Sequence, residues 1–399
     1  MTTSYRSFLT APGAPRLLAS GILARLPLGI SSLAILLLFR EHSGSFGLAG
    51  VAVGAYSLSS AAAAPVQGAL VDRLGPSRVL LPCAVGQAGL FVAVVQAAHE
   101  GVAAAALVPV AAAAGVLLPP VSACARSLWP RLDTGQAGLE AAYAVDAITQ
   151  EVIWISGPLL VALMVRLESP AAALLLSASL TVAGTALFAS SPLTRGAPRG
   201  GTRRSRAGPL ASGPLRVLLG SIVLTGLSWG AISVGLTAVG VHAGSRQSAG
   251  VLLALLGVGS VLGGLGYGAR GWGRPYGSRY RALFLLLAAC VAPLVAIHSL
   301  PAAYVLALLA GFCWAPLLSC QYTLVGRAAP AGSVTEAFTW MVAAFAVGVA
   351  VGSALAGGLV DAAGIGAPFA LVCACGCLAA AVTVAGRRLI EQLSPVPAL

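Results

Sequence analysis

Gly68-Ala69-Leu70-Val71-Asp72-Arg73-Leu74-Gly75-Pro76-Ser77-Arg78 is a short polar run between two long apolar stretches. Asp72 is the single acid between Glu41 and Glu100, and two glycines and two arginines surround it. Glycine lets a chain turn sharply and lets two helices approach closely. A carboxylate can accept from the exposed amides at a neighbouring helix N-terminus. The run therefore reads as a tight turn between two helices, each long enough to cross a bilayer.

Outward from that turn the composition agrees. The 399-residue chain is 58% hydrophobic and 9% charged, with mean hydropathy +0.93, against about 25% charged residues in a soluble domain. So much apolar surface needs lipid around it. The net charge of +12 comes wholly from arginine, with no lysine, which reads as a GC-rich, bacterial coding bias. The arginines are dispersed along the chain, which excludes a nucleic-acid footprint. Thr2 to Pro15 is polar and the apolar run after it is too long for a signal-peptide core, so no cleaved leader is expected. Cys373-x-Cys375-x-Cys377 has a metal-like spacing. On a helix, however, residues two apart point about 200° apart, so no metal site is expected.

A span needs about 20 apolar residues, with breaks at Gly, Pro or charge. Spans are predicted at 17–39, 46–70, 79–97, 102–125, 139–164 and 170–190. A second set follows at 215–240, 248–268, 282–299, 301–325, 335–359 and 367–386. The fold class is thus an all-α membrane protein of twelve transmembrane helices. With both termini in the cytoplasm, Arg40, Arg166 and Arg246 alone fall outside and Arg25 alone lies within a span, as the positive-inside rule expects. The Pro-, Gly- and Arg-rich segment 191–214 reads as a cytoplasmic linker between an N-terminal half, 1–190, and a C-terminal half, 215–399. The halves repeat. Ala49-Gly50-Val51 returns as Ala249-Gly250-Val251 and Gly68 as Gly268, 200 residues on. Pro120, Cys124, Arg131 and Glu140 return as Pro316, Cys320, Arg327 and Glu336, 196 residues on.

The opening run resembles the signature loop of the major facilitator superfamily, G-x-L-x-D-R-x-G-r-r-r. Gly68, Leu70, Asp72, Arg73, Gly75 and Arg78 match it, while Pro76 and Ser77 stand where basic residues are usual. The resemblance implies two pseudo-symmetric six-helix bundles with substrate bound near the midplane between them. It also implies that Asp72 latches the halves by meeting the start of the eleventh helix at Ser333-Val334-Thr335-Glu336, with Arg73, Arg78 and Arg126 as charge partners. The corresponding loop of the second half, from Gly268 to Arg274, lacks an aspartate, so this latch is expected on one side only.

The fifth span concentrates the intramembrane polarity in Asp146, Thr149, Gln150, Glu151 and Trp154. Ionisable groups at that depth are costly and mark function with a partner. Asp146, Gln150 and Trp154 share a face, whereas Glu151 is turned about 140° from Asp146. Asp146 reads as interfacial and Glu151, about 16 Å inside Glu140, as the deepest acid. Arg25, in the first span, is the one candidate counter-charge for Glu151. Such a pair either holds helices together or exchanges a proton with substrate.

Gly157-Pro158 resembles the antiporter motif G-x-x-x-G-P-x-x-G-G of the drug- and metabolite-exporting branch; only the Gly-Pro pair is retained, and it serves helix packing in any case. In the family the first, fourth, seventh and tenth spans line the cavity. The resemblance thereby nominates Ser31, Ser32, Trp229, Ser233, Trp314, Gln321 and Tyr322, beside Gln150 and Trp154 from the fifth span. Mostly apolar walls favour a small hydrophobic or amphipathic substrate. The chain shows no Walker loop and no histidine cluster, so it is not read as an enzyme. The expectation is a monomeric, proton-driven efflux transporter of the bacterial cytoplasmic membrane, working by alternating access with no cofactor beyond the proton gradient. Uptake of a sugar or small metabolite with protons is the alternative, as is a membrane binding or assembly protein with the same fold and no turnover.

Overall fold

The computed structural model describes residues 2–196, 208–243, 246–269, 272, 275–297, 299–391 and 393. Among them are twelve helices long and apolar enough to cross a membrane, and no strand. They are α1 (Ala14–Ser43), α2 (Gly47–Leu74), α3 (Pro76–His99), α4 (Ala104–Leu132), α5 (Gly135–Leu167) and α6 (Pro170–Ala189). The second six are α7 (Gly213–His242), α8 (Ser248–Ala269), α9 (Tyr276–Ala296), α10 (Leu300–Ala328), α11 (Val334–Ala363) and α12 (Ala367–Ala385). A short helix, Thr2–Thr10, precedes them. Much of the predicted linker, 197–207, lies outside the described residues, as do Arg270 and Arg274.

The expected spans are present in number and order, with shifted ends. The end of α4 moves from 125 to Leu132, and α9 starts at Tyr276 rather than near residue 282, with Pro275 at its N-cap and Arg279 buried in its first turns. Proline lacks a backbone N–H and breaks a helix interior. Accordingly α4 is interrupted at Pro119-Pro120, and Pro293 opens a 3-10 stretch, Ala292–Ala296, at the end of α9. The matching break in α10 falls at Phe312-Cys313, with Pro316 in the first turn that follows.

Packing repeats with the sequence. α1 lies against α5 and α6 as α7 lies against α11 and α12; α2 lies against α4 as α8 lies against α10. The closest approaches obey the same offsets. A Cβ on Gly115 would overlap the carbonyl of Tyr56, and one on Gly311, 196 residues later, would overlap that of Leu256, 200 residues later. Gly29 and Gly157 cross so closely that a Cβ on either would strike the other's helix backbone. The seams between the two sets of six are α2 with α11 and α5 with α8 and α10.

Candidate functional site

At one end of the bundle α2 stops at Gly75, whose φ of 88° is a conformation that favours glycine. Gly68 lies where a Cβ would overlap Thr339 and Glu336 of α11. That closeness brings Asp72 onto the N-terminus of α11. Its two oxygens accept from the backbone amides of Thr335 at 3.1 Å and Glu336 at 2.9 Å. Ser333, the N-cap residue, provides no side-chain cap and instead donates to the carbonyl of Pro330. The capping group of α11 is thus supplied by α2. Arg73 and Arg78 are exposed nearby, whereas Arg126 turns to a different acid.

A second bridge lies at the related position between α5 and α9. The Arg279 guanidinium grips Glu140 through Nη1–Oε2 at 3.0 Å and Nη2–Oε1 at 3.2 Å. Tyr276 donates to Oε1 of the same carboxylate at 2.6 Å, and Arg279 stacks over the Tyr276 ring at 4.2 Å. The expectation of a one-sided latch is therefore incomplete. The second joint exists with its polarity reversed, the acid on the helix and the cation facing it from the following half. Glu140 and Glu336 were visible as a repeated pair; Arg279 was hidden because it was assigned to the loop before α9.

The short Thr2–Thr10 helix adds a third tie. The Tyr5 hydroxyl donates to the carbonyls of Gly264 at 3.2 Å and Leu265 at 3.0 Å on α8. Burial pushes that phenol up to about 12. Phe8 is fully buried and meets Trp129 edge-on at 5.5 Å. In the sequence this segment stands out only as polar. The pair Tyr5 and Phe8, three apart on one helix face, was its signal.

Deeper in the bundle, the fifth span's two acids separate. Asp146 is fully buried within the protein and takes Arg25 Nη1 at 2.7 Å on one oxygen and Arg126 Nε at 2.8 Å on the other. Arg126 continues across to the second half, donating to the Tyr322 hydroxyl at 3.0 Å and stacking on its ring at 4.0 Å. The Arg25–Glu151 pair expected from depth alone does not form. The 140° turn between positions 146 and 151 sends Asp146 toward α1 and α4 and Glu151 toward α8. There Ser260 donates to Glu151 Oε1 at 3.0 Å and itself accepts from the Ala315 amide at 3.1 Å. Glu151 is 5% exposed and has no ion pair among the described residues. Ser260 was not foreseen, being one hydroxyl in an apolar run.

The nominated cavity residues divide. Ser31 bonds Ser177 of α6 at 2.8 Å and Gln321 bonds Thr225 and Tyr280, so both face their own half. Trp314 is buried edge-on against Trp229 at 4.9 Å. Ser32, Gln150, Trp229 and Ser233 keep partial exposure, and Trp154 is 52% exposed.

The model of the Major Facilitator Superfamily matches residues 17–334. The chain belongs to that superfamily. Its structure is similar to those of other membrane transporters at low sequence identity. A bacterial homologue of the iron transporter ferroportin, in its outward-facing state, gives a TM-score of 0.76 at 15% identity over 94% of this chain and 99% of that one. A human organic anion transporter gives 0.71 at 18% over 93% and 99%. The E. coli fucose:proton symporter gives 0.67 at 14% over 94% and 98%. No curated protein sequence matches. As a major facilitator protein the chain is a multi-pass transporter, and its buried polar groups take their meaning from that.

Proposed function

We propose that this transporter exports a small hydrophobic or amphipathic compound from a bacterial cytoplasm in exchange for protons. The observation behind this reading is Glu151, a buried carboxyl on the α5–α8 seam whose partner is the Ser260 hydroxyl of the other half. A carboxylate without a counter-charge is costly in lipid, and adding a proton there removes the charge. The same bond spans a surface along which the halves must move, so protonation and rocking share one place. Asp146, by contrast, is held by two arginines and serves as a structural pivot.

The joints at Asp72, Glu140 and Tyr5 gather at the end that the arginine distribution assigns to the cytoplasm, so the arrangement is read as open to the outside. The outward-facing ferroportin homologue supports that reading. The fucose:proton symporter supports a second one, in which proton and solute travel together into the cell.

Purified protein in liposomes enclosing a pH dye tests both. Lipophilic cations and neutral drugs added outside should drive proton movement in wild type and not in Glu151→Gln. Opposite directions of proton and compound establish exchange and a common direction establishes symport. Unchanged coupling in Glu151→Gln overturns the assignment of Glu151.

A further inference from the structure

The two departures from the signature pattern, Pro76 and Ser77, form one wall of a small, partly open cleft. This wall is the α2–α3 turn from Leu74 to Arg78, and Thr194 with Arg195 forms the other. α3 begins here with Gly75 at its N-cap, Pro76 in its first turn and no side-chain cap. Its first amides lack helical acceptors, and the positive end of its dipole is at this spot. Ser77 does not cap them, because its hydroxyl donates to the Ala189 carbonyl at 3.1 Å.

An independent feature lies opposite. Thr194 is 1% exposed, lines the cleft, and its hydroxyl has no hydrogen-bond partner. Its position is fixed from behind, since Arg131 donates to the carbonyls of Leu193 at 3.1 Å and Gly196 at 2.6 Å. Arg78 and Arg195 are exposed members of the lining, and no acid is among the lining residues. Asp72, the nearest acid in the chain, directs its oxygens to α11.

Helix amides, a hydroxyl and two guanidinium groups all donate, so the ligand that fits is one that only accepts. We propose that this cleft binds a phosphate group, seated on the N-terminus of α3, hydrogen-bonded by Thr194 and neutralised by Arg78 and Arg195. The phosphate belongs either to the headgroup of an anionic phospholipid or to a free phosphate ion. The assignment is independent of what the transporter carries.

Full-length protein in detergent is exposed to phosphatidylglycerol and phosphatidylcholine together, and retained lipid is counted by native mass spectrometry. Inorganic phosphate is titrated separately by calorimetry. Preferential retention of phosphatidylglycerol identifies a headgroup, and binding of inorganic phosphate identifies the free ion. In either case Arg195→Gln and Thr194→Val should weaken binding by about tenfold each, the loss expected for one charge-assisted bond. Arg388→Gln, an exposed arginine elsewhere, should leave it unchanged. Thermal unfolding establishes that each variant is folded, and Arg78→Gln at an exposed position substitutes if Thr194→Val is not. Binding of neither probe overturns the proposal, as does equal loss in Arg388→Gln, which would mark diffuse surface charge.

Discussion

Asp72 caps a helix of the opposite half, with one carboxylate oxygen 2.9 Å from the amide of Glu336. Loss of a capping carboxylate costs about 1 kcal/mol, or roughly a fivefold shift in an equilibrium. Asp72→Ala should therefore raise the population in which this end is open. Spin labels at Arg78 and Arg388 would report it as a longer, broader distance distribution. An unchanged distribution would remove the joint from the conformational equilibrium.

The Glu140–Arg279 bridge is nearly buried, with side-chain exposures of 9% and 3%. Removing one partner of such a pair leaves the other unpaired, at a cost of about 3–5 kcal/mol. Arg279→Gln should lower the unfolding temperature in detergent more than the double variant Glu140→Gln, Arg279→Gln does. Strict additivity of the two single losses would show that the charges are not coupled.

Asp146 and Glu151 should separate by phenotype. Asp146→Asn takes the shared carboxylate from Arg25 and Arg126, and poor folding or a large stability loss is expected. Glu151→Gln keeps an acceptor for the Ser260 hydroxyl, so it should fold at wild-type yield while its transport loses dependence on the pH gradient. Expression yield and gradient-driven uptake into vesicles measure both.

Helix crossing gives a fourth test. At Gly157 an added Cβ meets the Gly29 backbone, whereas Gly89 of α3 faces open space. Gly157→Ala should destabilise by about 1–3 kcal/mol through overpacking. Gly89→Ala should be neutral or slightly stabilising, because alanine is the better helix former. Thermal unfolding of the two in the same detergent decides the comparison.

Tyr5→Phe removes the donor that reaches Gly264 and Leu265, an effect of about 1 kcal/mol. Hydrogen exchange should quicken in Thr2–Thr10 and in the last turns of α8, and nowhere in α3.

What the sequence made legible was what repeats or has a period: the span count, the duplication at offsets of 200 and 196, and the turn that carries Asp72. Asp72 could be read because its run resembles the family's signature loop, which implies contact with the start of the eleventh helix. The partner of Arg25 could not. Depth along a helix is a one-dimensional quantity, and it pointed to Glu151; the choice between Asp146 and Glu151 depends on which face of α5 turns to α1, and that is fixed by the Gly29–Gly157 crossing. The partners of Ser31 and Gln321 were illegible for a related reason. A polar residue in a span has several neighbours to bond, and only the packing of Ser177, or of Thr225 and Tyr280, shows which it takes.

The glycine crossings bear on motion as well as on fold. Within each set of six, helices touch backbone to backbone, at Gly29 with Gly157 and at Gly311 with Leu256, so neither set can bend without straining main chain. Across the α5–α8 seam Gly264 meets Ile148, Gly257 meets Ile155 and Gly268 meets the Cβ of Ala144, so these approaches are to side-chain atoms rather than to main chain and yield more readily. Stiff arms on a yielding fulcrum make a lever. A helix of about 30 residues is roughly 45 Å long, so a tilt of about 10° around its middle carries each tip roughly 4 Å, in opposite directions at the two membrane faces. Closing one mouth then opens the other, with no helix having to change its internal shape.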